Sequence, residues 1–254
     1  MTDFEFKDKY DFDDLMHIVR ILRAPGGCPW DRAQTHESIR RNFIEETCEA
    51  VEAIDTKNPE LLCEELGDVL MQVALHSEMS EESGDFTIAE VTDGVCKKLI
   101  FRHPHVFGTM SAEDAEQAVA NWDKLKRVEK GQNTYTDTLT SVARTLPALW
   151  RAEKIQKKAE KSGMTAMSEG EAAKALLRAA ERFLGGGEST AAGDLLFAAV
   201  RCAQMRGIDP EDALNAASDT FTEKFLKAEI AAGDAGLDAM SAAEKDELWK
   251  RENE

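Results

Sequence analysis

The run TKNPE, centred near Lys57, constrains the fold of this chain more than any other feature, because it interrupts a long helical pattern. Proline cannot continue a helix, and asparagine favours turns and helix caps. If the flanking segments form an antiparallel helical hairpin, Glu49 and Glu65 each lie eight residues from Lys57. Glu46 and Asp68 each lie eleven residues from it. Because residues three or four apart share a helix face, this hairpin brings four carboxylates together at two matched levels.

Four carboxylates in one place require a cation. Two carboxylates about 5 Å apart repel each other by roughly 3 kcal/mol at an effective dielectric constant of about 20. From Asn42 to Asp93 the only Lys or Arg is Lys57, in the turn itself. Ligation by oxygen atoms alone suits Mg²⁺ or Mn²⁺ rather than zinc. The alternative is an acidic helix face in solvent, which describes most carboxylate runs, but the matched register and the missing basic partners favour a metal site within 42–70.

Helical periodicity runs through the whole chain and predicts an all-α fold. The apolar stripes and capping signals predict helices at 12–23, 36–56, 59–82 and 87–102. The segment APGGCPWDRAQ (24–34) is predicted to be a loop, since proline and glycine interrupt the helical pattern twice.

The second half of the chain repeats the first half in a weaker form. The segment GDLLFAAV resembles the earlier GDVLMQVA, and a GGG turn takes the place of TKNPE. Counting outward from Gly186, Glu181 faces Ala191 and Arg178 faces Asp194. Four positions carry carboxylates in the first hairpin. The second hairpin therefore keeps a carboxylate at two of them and has a basic side chain at a third. We predict a degenerate copy without a competent metal site.

Composition excludes several classes of function. The formal net charge of −18 argues against binding to a nucleic acid polymer, which needs a basic surface. No apolar run reaches the length of a membrane span, and the acidic N-terminus lacks the core of a signal peptide. The five cysteines are odd in number and form no CxxC pair. They predict reduced thiols, mostly packed as small hydrophobic side chains, in a cytoplasmic protein.

Five segments in order resemble one known family. EETCE followed by ELGD matches the EExxE…ExxD signature of the all-α nucleoside triphosphate pyrophosphohydrolases, and the surrounding segments resemble the MazG family in particular. GCPWDRAQTHES (27–38) and RHPHVFG (102–108) are similar to segments of that family. LPALWRAEKIQKKAEKSG (146–163) resembles the stretch that joins its two repeats.

The resemblance implies an activity and a metal site. The implied reaction is hydrolysis of a nucleoside triphosphate to the monophosphate and pyrophosphate. The implied cofactor is Mg²⁺, with Mn²⁺ as the alternative. The metal ligands are expected to be Glu46, Glu49, Glu65 and Asp68. Glu45 is the candidate base, or orients the attacking water. The sequence leaves the preferred base and sugar open.

Candidate substrate-binding residues lie outside the hairpin or at its start. In the family, a basic pair at the position of Lys98 and Arg102 faces the triphosphate; the alternative is a basic last turn that complements the helix dipole. Trp30 and Trp122 are candidates for stacking on the base, with packing as the alternative. Asn42, one turn before Glu46, is a candidate to reach the same pocket, and an ordinary surface amide is the alternative.

We therefore predict two tandem MazG-like helical modules that pack as four-helix bundles, at 1–131 and 146–254, joined by a linker at 132–145. Apolar stripes left uncovered on one chain predict a homodimer. A di-iron carboxylate bundle would need Glu-x-x-His pairs, and the sequence has none. A non-enzymatic scaffold or regulatory protein with a solvated acidic face is the remaining alternative, and it would bind Mg²⁺ only weakly.

Overall fold

The computed structural model describes residues 4–111, 114–233 and 236–253, and within these ranges it contains α-helices and no β-strand. The predicted all-α fold is confirmed. None of the described helices is both long and apolar enough to cross a membrane. The α-helices are α1 (Phe12–Arg23), α2 (Pro29–Ala33), α3 (Arg40–Asp55), α4 (Pro59–Ser83), α5 (Ile88–Arg102), α6 (Pro104–Phe107), α7 (Ala115–Glu129), α8 (Tyr135–Thr140), α9 (Ala148–Glu160), α10 (Glu169–Leu184), α11 (Ser189–Met205), α12 (Pro210–Ala231) and α13 (Ala242–Asn253).

The chain divides into two compact units, residues 1–125 and 126–254, with the division inside α7. The predicted linker segment contains a short helix, α8. The Thr134 side chain accepts a hydrogen bond from the backbone N–H of Asp137, and the Asp137 carboxylate accepts one in return from the backbone N–H of Thr134. This capping box is enough to start a helix within a polar segment.

The first unit is built on the hairpin of α3 and α4. Thr56 ends α3, and Lys57 adopts a left-handed conformation with φ of 54°. Asn58 then caps α4, because its side chain accepts a hydrogen bond from the backbone N–H of Leu61. Pro59 occupies the first turn of α4, where a missing N–H costs nothing. The turn therefore falls where the sequence predicts it.

The core of the first unit lies where α1 packs against the second half of α4. Its buried side chains are Met16, Val19, Ile39, Ala74, Leu75 and Met79. Arg23, at the end of α1, forms a bidentate ion pair with Glu82, with N–O distances of 2.8 and 2.7 Å. It also donates to the backbone carbonyl groups of Asp31 and Gln34. One buried guanidinium thus fixes α4 and the segment before α3 together.

The segment 24–34 is not a loop throughout, and this part of the prediction is wrong. Residues Pro29–Ala33 form the short helix α2. Proline is compatible with the first turn of a helix, and Asp31 in that turn complements the helix dipole. The prediction treated Pro29 as a residue that breaks a helix, whereas in the structure it begins one.

The second unit contains a matching hairpin of α10 and α11, joined by a glycine turn. Gly186 adopts φ of 96°, which favours glycine. A Cβ atom on Gly187 would lie 2.5 Å from the Cβ atom of Ala191, so this position also requires glycine. α9 packs against α11, where Gln156 donates from Nε2 to the Phe197 carbonyl oxygen at 2.7 Å.

All five cysteines are free, but most of them are not packed in a core. Cys48, Cys63 and Cys96 are exposed, on α3, α4 and α5 respectively, and the prediction of mostly buried thiols is wrong. Each lies on a helix face that the rest of the first unit leaves uncovered.

Candidate metal centre

Three glutamates of the first hairpin converge on one point. Glu46 and Glu49 lie one turn apart on α3, and Glu65 lies on α4. One carboxylate oxygen from each lies within 4.8 Å of those from the other two. Glu65 is buried, Glu46 is half-buried and Glu49 is exposed. The cluster is therefore accessible to solvent from the side of Glu49.

Asp68 lies one turn after Glu65, outside the group of three but close enough for its charge to act on them. Burial raises the pKa of Glu46 above its ordinary value, and the charges of Asp68 and Glu49 raise it further. Burial likewise raises the pKa of Glu65, followed by the charges of Glu49 and Asp68. A raised carboxyl pKa means that the surroundings disfavour the ionised form. The cluster thus lacks a counter-charge of its own.

The donor set fits a hard divalent cation. All the available ligand atoms are carboxylate oxygens, which Mg²⁺ and Mn²⁺ prefer and which suit neither a thiolate-bound nor an imidazole-bound zinc. No Lys or Arg is among the causes that shift the pKa of Glu46 or of Glu65. A bound cation would relieve the repulsion that raises the two pKa values, so the residues present and the proposed ion are chemically matched.

Glu45, the candidate base, is placed apart from the cluster. It is exposed, and its Oε1 accepts a hydrogen bond from Nε of Arg41 at 2.9 Å. Arg41 directly precedes Asn42, where the stretch poor in Lys and Arg begins. Its i,i+4 spacing from Glu45 was the signal that could have predicted this pair.

The structure brings two of the predicted substrate-binding residues together. Arg102, at the end of α5, is buried, and its guanidinium carbon lies 5.0 Å from the centre of the Trp122 ring. Lys98, one turn earlier, is half-buried. Trp30, on α2, is exposed, and Asn42, near the start of α3, is half-buried.

The structure brings together a pair of histidines, beside the hairpin, that the sequence did not predict. The Nδ1 atoms of His36 and His76 lie 2.7 Å apart, and their rings are nearly parallel with centroids 5.0 Å apart. Burial lowers the pKa of His76, and the nearby His36 lowers it further. The two residues are forty positions apart in the sequence, and no spacing rule connects them. The short distance is explained by a hydrogen bond in which one Nδ1 donates and the other accepts.

The second hairpin has a different set of charges at its matching positions. Asp194 forms its ion pair with Arg182, at 3.3 Å, and not with Arg178 as the register predicts. Arg182 lies one turn after Arg178 on α10, so both guanidinium groups extend from the same side of the helix. Ala191 offers no ligand atom. Among the described residues, the second hairpin forms no metal-binding cluster.

Comparison with known proteins places this hairpin within a recognised domain. Residues 34–107, a range that contains the complete carboxylate cluster, match the MazG nucleotide pyrophosphohydrolase domain. The Bacillus subtilis protein YabN is 38% identical over 255 residues, covering 96% of this chain; this chain spans about half, 52%, of its length.

Two relatives are similar along almost their entire length. The Thermotoga maritima protein named nucleoside triphosphate pyrophosphohydrolase/pyrophosphatase MazG is 36% identical over 255 residues, covering 94% of each chain. The Escherichia coli K12 nucleoside triphosphate pyrophosphohydrolase is 33% identical over 251 residues, covering 94% of this chain and 95% of that protein. With the domain match and this shared length, the chain belongs to the MazG family of nucleotide pyrophosphohydrolases.

Proposed function

We propose that the chain is a Mg²⁺-dependent nucleoside triphosphate pyrophosphohydrolase, which converts a nucleoside triphosphate and water to the monophosphate and pyrophosphate. The observation that carries this proposal is the convergence of carboxylate oxygens from Glu46, Glu49 and Glu65 on one point. The names of the Thermotoga and Escherichia relatives support the reaction. Mn²⁺ is a second ion that the same oxygen donors accept.

The roles of the hairpin residues follow from their positions. Glu46, Glu49, Glu65 and Asp68 would hold the ion. When bound, Mg²⁺ would polarise the triphosphate and lower the pKa of a bound water. Glu45, on the adjoining face of α3, would accept a proton from the attacking water or orient it, after release from Arg41.

The basic and aromatic residues supply the substrate contacts in this proposal. Lys98 and Arg102 would neutralise phosphate charge, since phosphoryl chemistry is catalysed mainly by positioning and electrostatics. Trp122, beside Arg102, would fix the guanidinium orientation and cover the base, with Trp30 as a second aromatic surface. Asn42 would contribute an amide at the edge of the pocket.

A homodimer would complete the site. Exposed apolar side chains line the hairpin, and Ile44, Ile54 and Leu66 are each more than half exposed, at 53%, 57% and 54%. An uncovered apolar surface of this kind is typical of an interface. We propose that a second copy covers it, and light scattering coupled to size-exclusion chromatography should report a mass of twice the monomer.

The activity has a direct test. Incubation with a panel of nucleoside and deoxynucleoside triphosphates plus Mg²⁺ should release pyrophosphate from at least one of them, and EDTA should stop the release. Glu49→Gln serves as the inactive control. Release of orthophosphate alone, or a rate unchanged by EDTA, would contradict the proposed reaction.

A further inference from the structure

The second unit contains a cavity that the proposed hydrolysis does not use. Its volume is about 410 Å³, within the range of small-molecule binding sites. It lies among α9, α10 and α11, and its wall includes Arg178, Arg182 and Asp194. Arg178 and Asp194 match Glu46 and Asp68 by register, so the cavity lies at one of the two carboxylate levels of the first hairpin, while Glu181 and Ala191 at the other level lie outside it.

Smaller side chains at matched positions make room for this cavity. At the register that pairs Arg178 with Glu46, Ala175 takes the position of Phe43. On the facing helix, Ala198 takes the position of Gln72. Both alanines line the cavity. The second hairpin has thus lost side-chain volume at the level where Arg178 replaces a carboxylate, and the exposed Arg178 and Arg182 in the wall leave this space accessible to a ligand from solvent.

The charge in the wall is positive, although the chain as a whole is strongly acidic. Arg182 is paired with Asp194, and the buried Arg201 is paired with Glu160 at 2.8 Å. Arg178 makes no hydrogen bond or ion pair with any described residue. The guanidinium of the exposed Arg178 therefore remains available at the cavity, and that of Arg182, which is paired with Asp194, lies one turn away.

The remaining wall is mostly apolar, with one unused acceptor. Ile155, Met167 and Phe197 contribute apolar surface. Gln156 is buried in the wall; its Nε2 donates to the Phe197 carbonyl, and its Oε1 has no partner among the described residues. The opposite amide orientation would place two carbonyl oxygens against each other, so the acceptor is the unpartnered atom.

We propose that this cavity binds a nucleoside monophosphate without a metal ion. Arg178, supported by Arg182, binds the phosphate, since guanidinium groups match phosphate geometry with paired N–H donors. The apolar wall takes the base. A single phosphate fits better than a triphosphate, because Asp194 remains at the cavity and would repel additional negative charge. The site is independent of the proposed hydrolysis, and its ligand is of the same chemical class as the product of that reaction.

Calorimetric titration of the full-length chain in EDTA tests this site directly. The probes are the four common nucleoside monophosphates, the corresponding nucleosides and inorganic phosphate. At least one monophosphate should bind with one site per chain, at least about ten-fold more tightly than its nucleoside and than phosphate alone. Arg102→Ala, which removes the proposed phosphate contact of the first unit, should bind it equally well, and this separates the two sites.

Two variants and a matched control locate the binding. Arg178→Ala should weaken it about ten-fold or more, because a charge-assisted contact is lost. Ala175→Phe, which restores the bulk present in the first hairpin, should block it while leaving Arg178 in place. Lys174→Ala removes an exposed cation from the same helix but outside the cavity, and should change nothing.

Three results would overturn the proposal. The first is the absence of binding by every monophosphate at millimolar concentration. The second is binding that survives both Arg178→Ala and Ala175→Phe in variants with wild-type circular dichroism spectra. The third is an affinity for inorganic phosphate equal to that for the monophosphates, which would mean that an arginine binds phosphate without recognition of the nucleoside.

Discussion

The two hairpins share a backbone plan and differ in the side chains at their centres. Each consists of two antiparallel helices joined by a tight turn with a left-handed residue, Lys57 in one and Gly186 in the other. The first gathers carboxylates that repel one another. The second has an arginine, an ion pair and an open cavity at the matching level. The backbone of the hairpin therefore does not depend on the central charges, which can be exchanged without changing the fold.

The comparison also separates stability from function. Burial and mutual repulsion raise the pKa of Glu46 and of Glu65, so the first hairpin retains groups that oppose its own folding at neutral pH. The Arg182–Asp194 pair of the second hairpin has no such conflict. An arrangement that costs stability without a ligand indicates a site that is kept for binding one.

The largest expected difference between the hairpins is in catalysis. Glu49→Gln and Glu65→Gln each remove a charged ligand, so we expect turnover to fall roughly 100-fold or more. Glu181→Gln and Asp194→Asn alter the second hairpin and should retain rates near wild type. All four are measured side by side at saturating Mg²⁺ in the pyrophosphate assay. Loss of turnover in a folded Asp194→Asn variant would mean that the second unit contributes to the active site.

Two buried arginines, one in each unit, should differ in what their loss affects. Arg102→Ala should lower kcat/KM by about 10–150-fold, equivalent to roughly 1.5–3 kcal/mol for a charge-assisted contact to phosphate. Arg201→Ala should leave kcat/KM unchanged and lower the melting temperature, since Glu160 loses its partner. Unchanged kcat/KM with a lowered melting temperature for Arg102→Ala would assign Arg102 to structure, through its contact with Trp122.

Metal should stabilise the first hairpin alone. Saturation at about 100 times Kd adds roughly 2.7 kcal/mol to the free energy of unfolding. Thermal melts should therefore show a higher melting temperature with Mg²⁺ for wild type and for Asp194→Asn, and no change for Glu49→Gln.

The same melts have a pH dependence with a definite sign. Because the folded pKa values of Glu46 and Glu65 are raised, these groups bind protons at a higher pH than ordinary glutamates. Protons then compete with Mg²⁺, and the metal-induced shift should shrink as the pH falls from 7.5 toward 5. A shift of constant size over that range would indicate a metal bound elsewhere.

The smallest expected effect concerns the histidine pair, for which the second hairpin has Cys202 at the position of His76. The folded pKa of His76 lies below the ordinary value of 6.5 because of burial and of His36. The unfolded chain therefore binds the proton more readily, and this group costs stability as the pH falls below about 6.5. NMR titration should give a midpoint below 6.5 for His76. His36→Ala should move that midpoint upward; an unchanged midpoint would leave burial as the whole cause.

The sequence predicted the backbone and the cluster better than it predicted the partners of charged side chains. The turn at Lys57 and the convergence of Glu46, Glu49 and Glu65 follow from counting residues along helices. Counting gave Arg178 as the partner of Asp194, whereas the ion pair is made by Arg182, because a long flexible side chain can reach across one helical turn.

Contacts between distant segments were not predictable in this way. The His36–His76 pair depends on how the start of α3 packs against α4, which no local pattern specifies. The cavity in the second unit depends on the summed volumes of side chains from three helices. Such features are set by tertiary packing, which periodicity and spacing do not record.

The short turns have a consequence for the order of folding. Because each hairpin closes across only a few residues, its contacts join segments that are neighbours in the chain, and such local topologies fold fast. The first hairpin is complete at Ser83, well before the second unit begins, so during synthesis we expect it to form first. The carboxylates then meet while the second unit is still being synthesised. At that stage the cations that can bind to them are those dissolved in the surrounding solution.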